Sequence, residues 1–328
     1  MAEQNTPDKI ISGRPWKKGD KFKSFIEGEK TLTFPEGKSR EKPTWDEIEN
    51  CKNITKEEVA KEWENFMKYD ASQNKRSFVG NPIIYHYFTK ELIKTRYKGG
   101  ATLEEEWAKD SDKMWANVCK IDRRKAFPPS PVDVFEKNRA ITFFKPTIAK
   151  HIYTLFGATR VLDPCAGWGG RMLGAMALGI QYTGFDTNLN LHPIYKEMNE
   201  LMYQSKQIPN MSGFKVPKML DCSVLKYPNW LASFCGEAPD LILTSPPYFN
   251  LEIYPHMSPW KDEKEFYGGF LVPMMYLCYG VLAKGGHMCI NISPPMYKKL
   301  TEEYDFRLAD EKIDFLQQMG QKSGKKVD

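Results

Sequence analysis

From residue 147 onward, short apolar runs alternate with segments of helical period. Arg160–Leu162, Gln181–Phe185, Lys218–Leu220, Leu241–Thr244 and His287–Ile292 have the length and β-branched or aromatic content of strands. Between and around them, Thr147–Phe156, Arg171–Leu178, Leu191–Gln204, Phe266–Leu282 and Glu302–Met319 place apolar residues at helical spacing. Such alternation predicts an α/β architecture, a mostly parallel, doubly wound sheet with helices on both faces. Ligands of such sheets bind beyond the carboxyl ends of the strands. Asp163, Asp186, Asp221 and Ser245 all fall at predicted strand ends.

The N-terminal part follows another pattern. Residues 1–45 are polar and rich in Lys, Gly and Pro, which predicts a flexible arm. Residues 46–127 read as a helical extension, a candidate for target recognition. Helical spacing runs from Thr44 to about Tyr69, with Thr55 followed by Glu57 and Glu58 as a second start signal. Pro82–Tyr97 predicts an aromatic-rich helix stopped by Gly99-Gly100, and Leu103–Cys119 predicts another. Pro128-Pro129-Ser130-Pro131 marks a joint, after which 128–328 carry the strand–helix alternation.

Composition narrows the classes. At 41% hydrophobic and 27% charged residues, the chain has the make-up of a soluble globular protein, and no apolar run is long enough to span a membrane. The N-terminus lacks a signal-peptide pattern. Seven scattered cysteines without CxxC spacing predict reduced thiols in a cytoplasmic or other reducing compartment, not a disulfide framework or a metal centre. A net charge of +5 is weak support for a nucleic-acid partner. Lys17-Lys18, Lys120–Lys125 and Lys322–Lys326 are the clusters from which a basic face, or simply a solvated surface, would be built.

Two motifs carry chemistry. Asp163-Pro-Cys-Ala-Gly-Trp-Gly-Gly-Arg171 follows a strand and opens a helix. Its glycines, Gly167 and Gly169 among them, let the backbone approach a ligand, and the helix N-terminus offers free N–H groups to an anion. The pattern departs from the GxGxxG of nicotinamide-binding turns, the commonest alternative. Asp186, ending the next strand, suits the two hydroxyls of a ribose. Eighty residues downstream of the first motif, Leu241–Thr244 runs into Ser245-Pro246-Pro247-Tyr248. Two prolines make a rigid ledge whose carbonyl at Pro246 has few competitors. With Ser245 Oγ it can accept the N–H groups of a planar amine and aim the nitrogen lone pair, which is catalysis by positioning. Tyr248 would stack on the ring bearing that amine, with Phe249, Asn250 and Tyr254 as further contacts from a loop, Asn250–Gly268, that closes over the target. A second Ser293-Pro294-Pro295 lacks the following aromatic and reads as a turn.

These two motifs resemble those of the S-adenosylmethionine-dependent amino-methyltransferases of DNA, over about residues 135 to 295. The first is similar to the family's D-P-F-x-G-x-G, with Cys165 in place of Phe, and Thr244-Ser-Pro-Pro-Tyr248 is the form typical of cytosine-N4 enzymes. The resemblance implies a Rossmann-like methyltransferase fold, S-adenosylmethionine as cofactor and DNA as partner, with RNA the alternative polymer. It implies a cofactor site of Asp163, Cys165, Gly167, Gly169 and Asp186, with Asp221 and Cys222 near the adenine and Phe144 and Thr147 at the methionine end. Ser245, Pro246, Pro247 and Tyr248 become the catalytic group, and no metal is implied. A base inside a duplex must be flipped out to reach them, or the substrate must be single-stranded. Adenine-N6 transfer is the runner-up, and a non-catalytic nucleic-acid-binding subunit is the reading of another class. Pro164-Cys165 imitates the nucleophile of cytosine-C5 enzymes but stands in the wrong loop, so Cys165 reads as a small apolar residue. The family's terminal β-hairpin has no matching strands after the last predicted helix; truncation, completion by a partner chain, or a miscounted element would each account for that.

Overall fold

A computed structural model describes residues 41–73, 77–121, 129–138, 141–201, 216–226, 236–254 and 259–304, with Leu231, Ser233 and Met257 between them. The chain divides into two units, Met1–Glu41 and Lys42–Asp328, and all the helices and strands named here belong to the second. The predicted arm lies outside the described residues as far as residue 40, as do Lys17-Lys18, most of Lys120–Lys125 and all of Lys322–Lys326.

The helices α1 (Trp45–Glu49), α2 (Lys56–Lys68) and α3 (Asn81–Leu92) lead to a short strand β1 (Arg96–Tyr97), then α4 (Leu103–Ile121) and α5 (Pro131–Asn138). The alternating part runs α6 (Pro146–Leu155), β2 (Arg160–Asp163), α7 (Gly170–Leu178), β3 (Gln181–Phe185), α8 (Leu191–Asn199), β4 (Lys218–Leu220) and β5 (Leu241–Thr244). It continues through β6 (Glu252–Ile253), α9 (Glu263–Phe266), a π-helical turn at Tyr267–Leu271, α10 (Val272–Val281), β7 (His287–Ile290) and α11 (Pro294–Glu302).

β4, β3, β2, β5 and β7 form one sheet in that order, every pair parallel. The chain lays down β2, β3 and β4 outward on one side, then returns to place β5 and β7 on the other. The order therefore reverses between β2 and β5, where an open α/β sheet leaves a crevice at its carboxyl edge. This α/β sheet is compatible with a Rossmann-like fold. Its strands are apolar on both faces because both faces are covered. Val161, Tyr182, Leu241 and Leu243 pack into one core with α2, α3, α6, α7 and α8. Leu162, Phe185 and Ile242 pack on the other side with α9, α10 and α11.

The helical N-terminal part divides between two cores. Trp63 and Phe66 of α2 and Ile83, Ile84 and Phe88 of α3 belong to the same core as the sheet. Ile48, Leu103, Trp107, Trp115, Val134 and Phe135 close a separate cluster among α1, α4 and α5. Capping boxes at Thr44 and Thr55 start α1 and α2, so the span predicted from Thr44 to Tyr69 is two helices.

Three expectations are corrected. The helix predicted over Pro82–Tyr97 ends at Leu92, and Arg96 and Tyr97 pair antiparallel with Ile253 and Glu252. A long-range strand partner there overrides local helical spacing. Ser293-Pro294-Pro295 starts α11: Ser293 Oγ accepts from Met296 N at 3.4 Å, and Pro294 stands where a helix needs no N–H. The helix predicted over Phe266–Leu282 is interrupted by the π-helical turn, which contains Gly268-Gly269. The helix expected over Glu302–Met319, and any terminal hairpin, lie outside the described residues from 305 onward.

One buried cation fastens α2 to α6. Lys150 Nζ donates to the carbonyls of Phe66, Met67 and Tyr69 at 2.8, 2.8 and 2.9 Å, gathering oxygens at the end of α2, where Phe66 O also accepts from Tyr69 N. Burial pulls its ammonium down to about 8, opposed by Asp70. Lys150→Met removes three hydrogen bonds from a buried ammonium and is expected to cost about 2 kcal/mol in urea denaturation.

Candidate active site at the carboxyl edge of the sheet

Asp163 ends β2 with no exposed surface. Arg171 Nε donates to its Oδ2 at 2.7 Å, Tyr182 OH to the same oxygen at 2.6 Å, and Thr244 Oγ1 to Oδ1 at 2.8 Å. Arg171 also reaches the carbonyls of Cys165 and Ala166, gathering the turn around its guanidinium. Burial works against that charge, but Asp163 together with Tyr182 and Tyr153 outweighs it and holds Arg171 above its ordinary value. Asp163, expected among the cofactor residues, thus has both oxygens engaged by protein partners and acts by shaping the turn.

The turn itself is built by glycine. Gly169 caps α7 with φ +72°, and a Cβ there would lie 2.9 Å from the Phe88 ring. A Cβ on Gly170 would lie 2.0 Å from the Phe144 carbonyl, so only glycine lets α7 start against the segment leading into α6. Gly167 also has positive φ, and its N–H donates to Asp186 Oδ2 at 2.8 Å. Trp168 between them is buried, edge-on to Phe88 and to Tyr254.

Asp186 ends β3 half-buried. Besides Gly167 it accepts from Asn188 N at 2.8 Å and Tyr195 OH at 3.3 Å. Burial pushes its carboxyl above the ordinary range, against the two backbone N–H bonds. Asn188 is buried beside it, and its side-chain Nδ2 has no hydrogen-bond partner. Asp221 follows β4 and is exposed, while Cys222 is buried in the core under α10. Phe144 lies half-buried with its ring 5.2 Å from the Arg171 guanidinium carbon. Thr147, expected at the methionine end of a cofactor, is fully buried, and its hydroxyl donates to the Ser77 carbonyl at 3.1 Å. Cys165 touches Met274, with sulfur atoms 3.7 Å apart, and burial pushes its thiol well above the ordinary value. That is the state of a packing residue, not of a thiolate nucleophile.

Thr244 joins the two motifs. Its hydroxyl donates to Asp163 and accepts from Cys165 N at 3.2 Å, one residue before Ser245. Ser245 is half-buried, Pro246 buried, and Pro247 and Tyr248 half-buried. Asn291, just past β7, donates through Nδ2 to Ser245 Oγ at 3.0 Å and to Tyr248 OH at 2.8 Å. Tyr248 OH donates to the Asn291 backbone carbonyl at 3.2 Å, and burial pushes its phenol upward.

The loop beyond divides its expected contacts. Phe249 adopts φ +47°, strained for a bulky side chain, and its ring packs 5.8 Å from Phe266. Asn250 grips Trp260 from both sides, donating to its carbonyl at 2.7 Å and accepting from its N–H at 2.8 Å. Both therefore build the loop. Tyr254 turns back over the glycine turn onto Trp168 and donates to Glu252 at 2.6 Å. Burial pushes its phenol well up, with the charges of Glu252 and Asp186 adding to the effect.

Thr244, Asn291 and Arg171 are the site residues that sequence reasoning missed in these roles. Arg171 was visible as the cation closing the glycine motif, and Asn291 as a polar residue in the run His287–Ile292. Among the described residues no group of three or more His, Cys, Asp or Glu is placed to hold a metal ion. No helix among them is long and apolar enough to cross a membrane. No protein-family model and no curated protein matches this chain.

Asp163→Ala strands a buried guanidinium, and a loss of about 3–5 kcal/mol is expected in chemical denaturation. The double variant Asp163→Leu/Arg171→Leu is expected to recover part of that loss.

Proposed function

We propose that this chain transfers a methyl group from S-adenosylmethionine to the exocyclic amine of a base in DNA, the N4 amine of cytosine, as a methyltransferase of Rossmann-like fold. The observation that carries the reading is the Thr244 hydroxyl, which ties the glycine turn to the start of Ser245-Pro-Pro-Tyr248 at the reversal point of the sheet. A cofactor-type turn and an acceptor ledge thereby share one crevice.

The residues present fit the cofactor. Asp186 stands half-exposed at a strand end, Asn188 holds an unpartnered buried amide nitrogen beside it, and Gly167 in the turn is half-exposed, with no atom closer than 3.9 Å to where a Cβ would stand. Asp186 would accept from the ribose hydroxyls, and the N-terminus of α7 would face the carboxylate. The bound cofactor supplies an electrophilic methyl on a sulfonium, whose departure as a neutral thioether needs no acid. Ser245 Oγ and the Pro246 carbonyl accept the N–H groups of the amine. They thereby turn its lone pair out of conjugation and toward the methyl, and the proton lost from nitrogen passes to solvent. Tyr248 stacks on the base. The cytosine assignment rests on the form of the motif, and the chain carries it in the reducing compartment its thiols suit.

Nucleosides from unmethylated DNA, and separately RNA, incubated with the protein and S-adenosylmethionine should contain N4-methylcytosine by mass spectrometry, from DNA alone. N6-methyladenine would keep the ledge and change the base, and no methylated base with cofactor bound would overturn the transfer. Ser245→Ala should lower turnover about 100-fold while cofactor affinity holds. Asp186→Ala should weaken cofactor binding about 10- to 100-fold by calorimetry. Because the Asp186 carboxyl is raised and must ionise to accept, wild-type cofactor affinity should fall on acidification, starting at higher pH than for an ordinary carboxylate.

A further inference from the structure

We infer that Asn291 is a positioning residue which sets the spacing and the hydrogen-bond polarity of the acceptor ledge. The inference rests on the methyl-transfer reading above. Ser245 and Tyr248 leave β5 in an irregular segment, where a serine hydroxyl and a phenol each have free torsions. A rigid proline pair fixes the backbone between them but neither side chain. Asn291 reaches both from just past the neighbouring strand β7. Its own backbone N–H donates to the Thr244 carbonyl at 2.9 Å, so it is in register with the residue just before the ledge. From that anchor its amide donates to Ser245 Oγ and Tyr248 OH, and its backbone carbonyl accepts from the phenol.

The polarity follows from the donor inventory. A serine hydroxyl has two acceptor sites and one hydrogen. With its hydrogen directed to the Tyr248 oxygen and one acceptor site filled by the Asn291 amide, the other acceptor site remains for an incoming N–H. The phenol sends its hydrogen to the Asn291 carbonyl, so it does not compete for Ser245 as a donor. The amide thus orients the serine toward the amine and locks the aromatic plane on which the base stacks. A carboxylate of the same shape supplies no N–H donor and would draw the serine hydrogen toward itself.

The test compares Asn291→Asp, which preserves shape, with wild type in single-turnover methyl transfer, cofactor calorimetry and 19F NMR of 3-fluorotyrosine at position 248. The expected result is a transfer rate lower by about tenfold or more, unchanged cofactor affinity and a shifted, broadened fluorine resonance. In a Ser245→Ala/Tyr248→Phe background the same change should cost much less, because its two targets are gone. An equal rate loss in both backgrounds, or an unmoved resonance, would overturn the proposal. If wild type transfers no methyl to either polymer, the functional reading fails by itself. The resonance then still decides whether Asn291 holds Tyr248. Asn291→Ser is the second variant: it restores a short donor, and recovery of part of the rate is expected.

Discussion

Everything at the carboxyl edge depends on one buried ion pair and the hydroxyl beside it. Asp163 and Arg171 neutralise each other in the interior, where either alone would be costly. Their surplus hydrogen-bonding capacity is what organises the surroundings. Arg171 draws in two carbonyls of the glycine turn, Tyr182 reaches across from β3, and Thr244 reaches across from β5. Three strands and one helix start are thereby fixed by a single carboxylate. Such a network is favourable only when every member is satisfied, which explains why apolar packing surrounds it so closely.

The same principle recurs one layer outward. Asp186 gathers the N–H groups of Gly167 and Asn188, and Asn291 gathers Ser245 and Tyr248. Each of these strand-end residues serves its neighbours before it serves a ligand. The site is thus assembled by the protein's own hydrogen bonds, and ligand groups would have only the remaining valences to use.

The strands were legible because burial on both faces leaves short apolar runs that little else produces. Observed and predicted strands of the sheet differ only at the ends of β2 and β7. The proline ledge and the glycine turn were legible because proline and glycine restrict the backbone locally. What could not be read were partners chosen across the sheet. Thr147 looked like a ligand contact and bonds Ser77, which a distant loop delivers. Phe249 and Asn250 looked like base contacts and instead hold Phe266 and Trp260. Arg96 and Tyr97 looked helical because the strand they pair with lies far away in the chain. In each case a contact of long sequence separation decided the outcome, and no local period encodes one.

Asn291 stands after the last strand of the sheet, yet it orders side chains at the end of β5. This has a consequence for the timing of maturation during synthesis. A ribosome delivers the glycine turn, the acids and the whole proline ledge before residue 291 emerges. The hydrogen bonds that fix the Ser245 and Tyr248 side chains can therefore form only once residue 291 has joined the sheet, so the order of the ledge is coupled to completion of the fold.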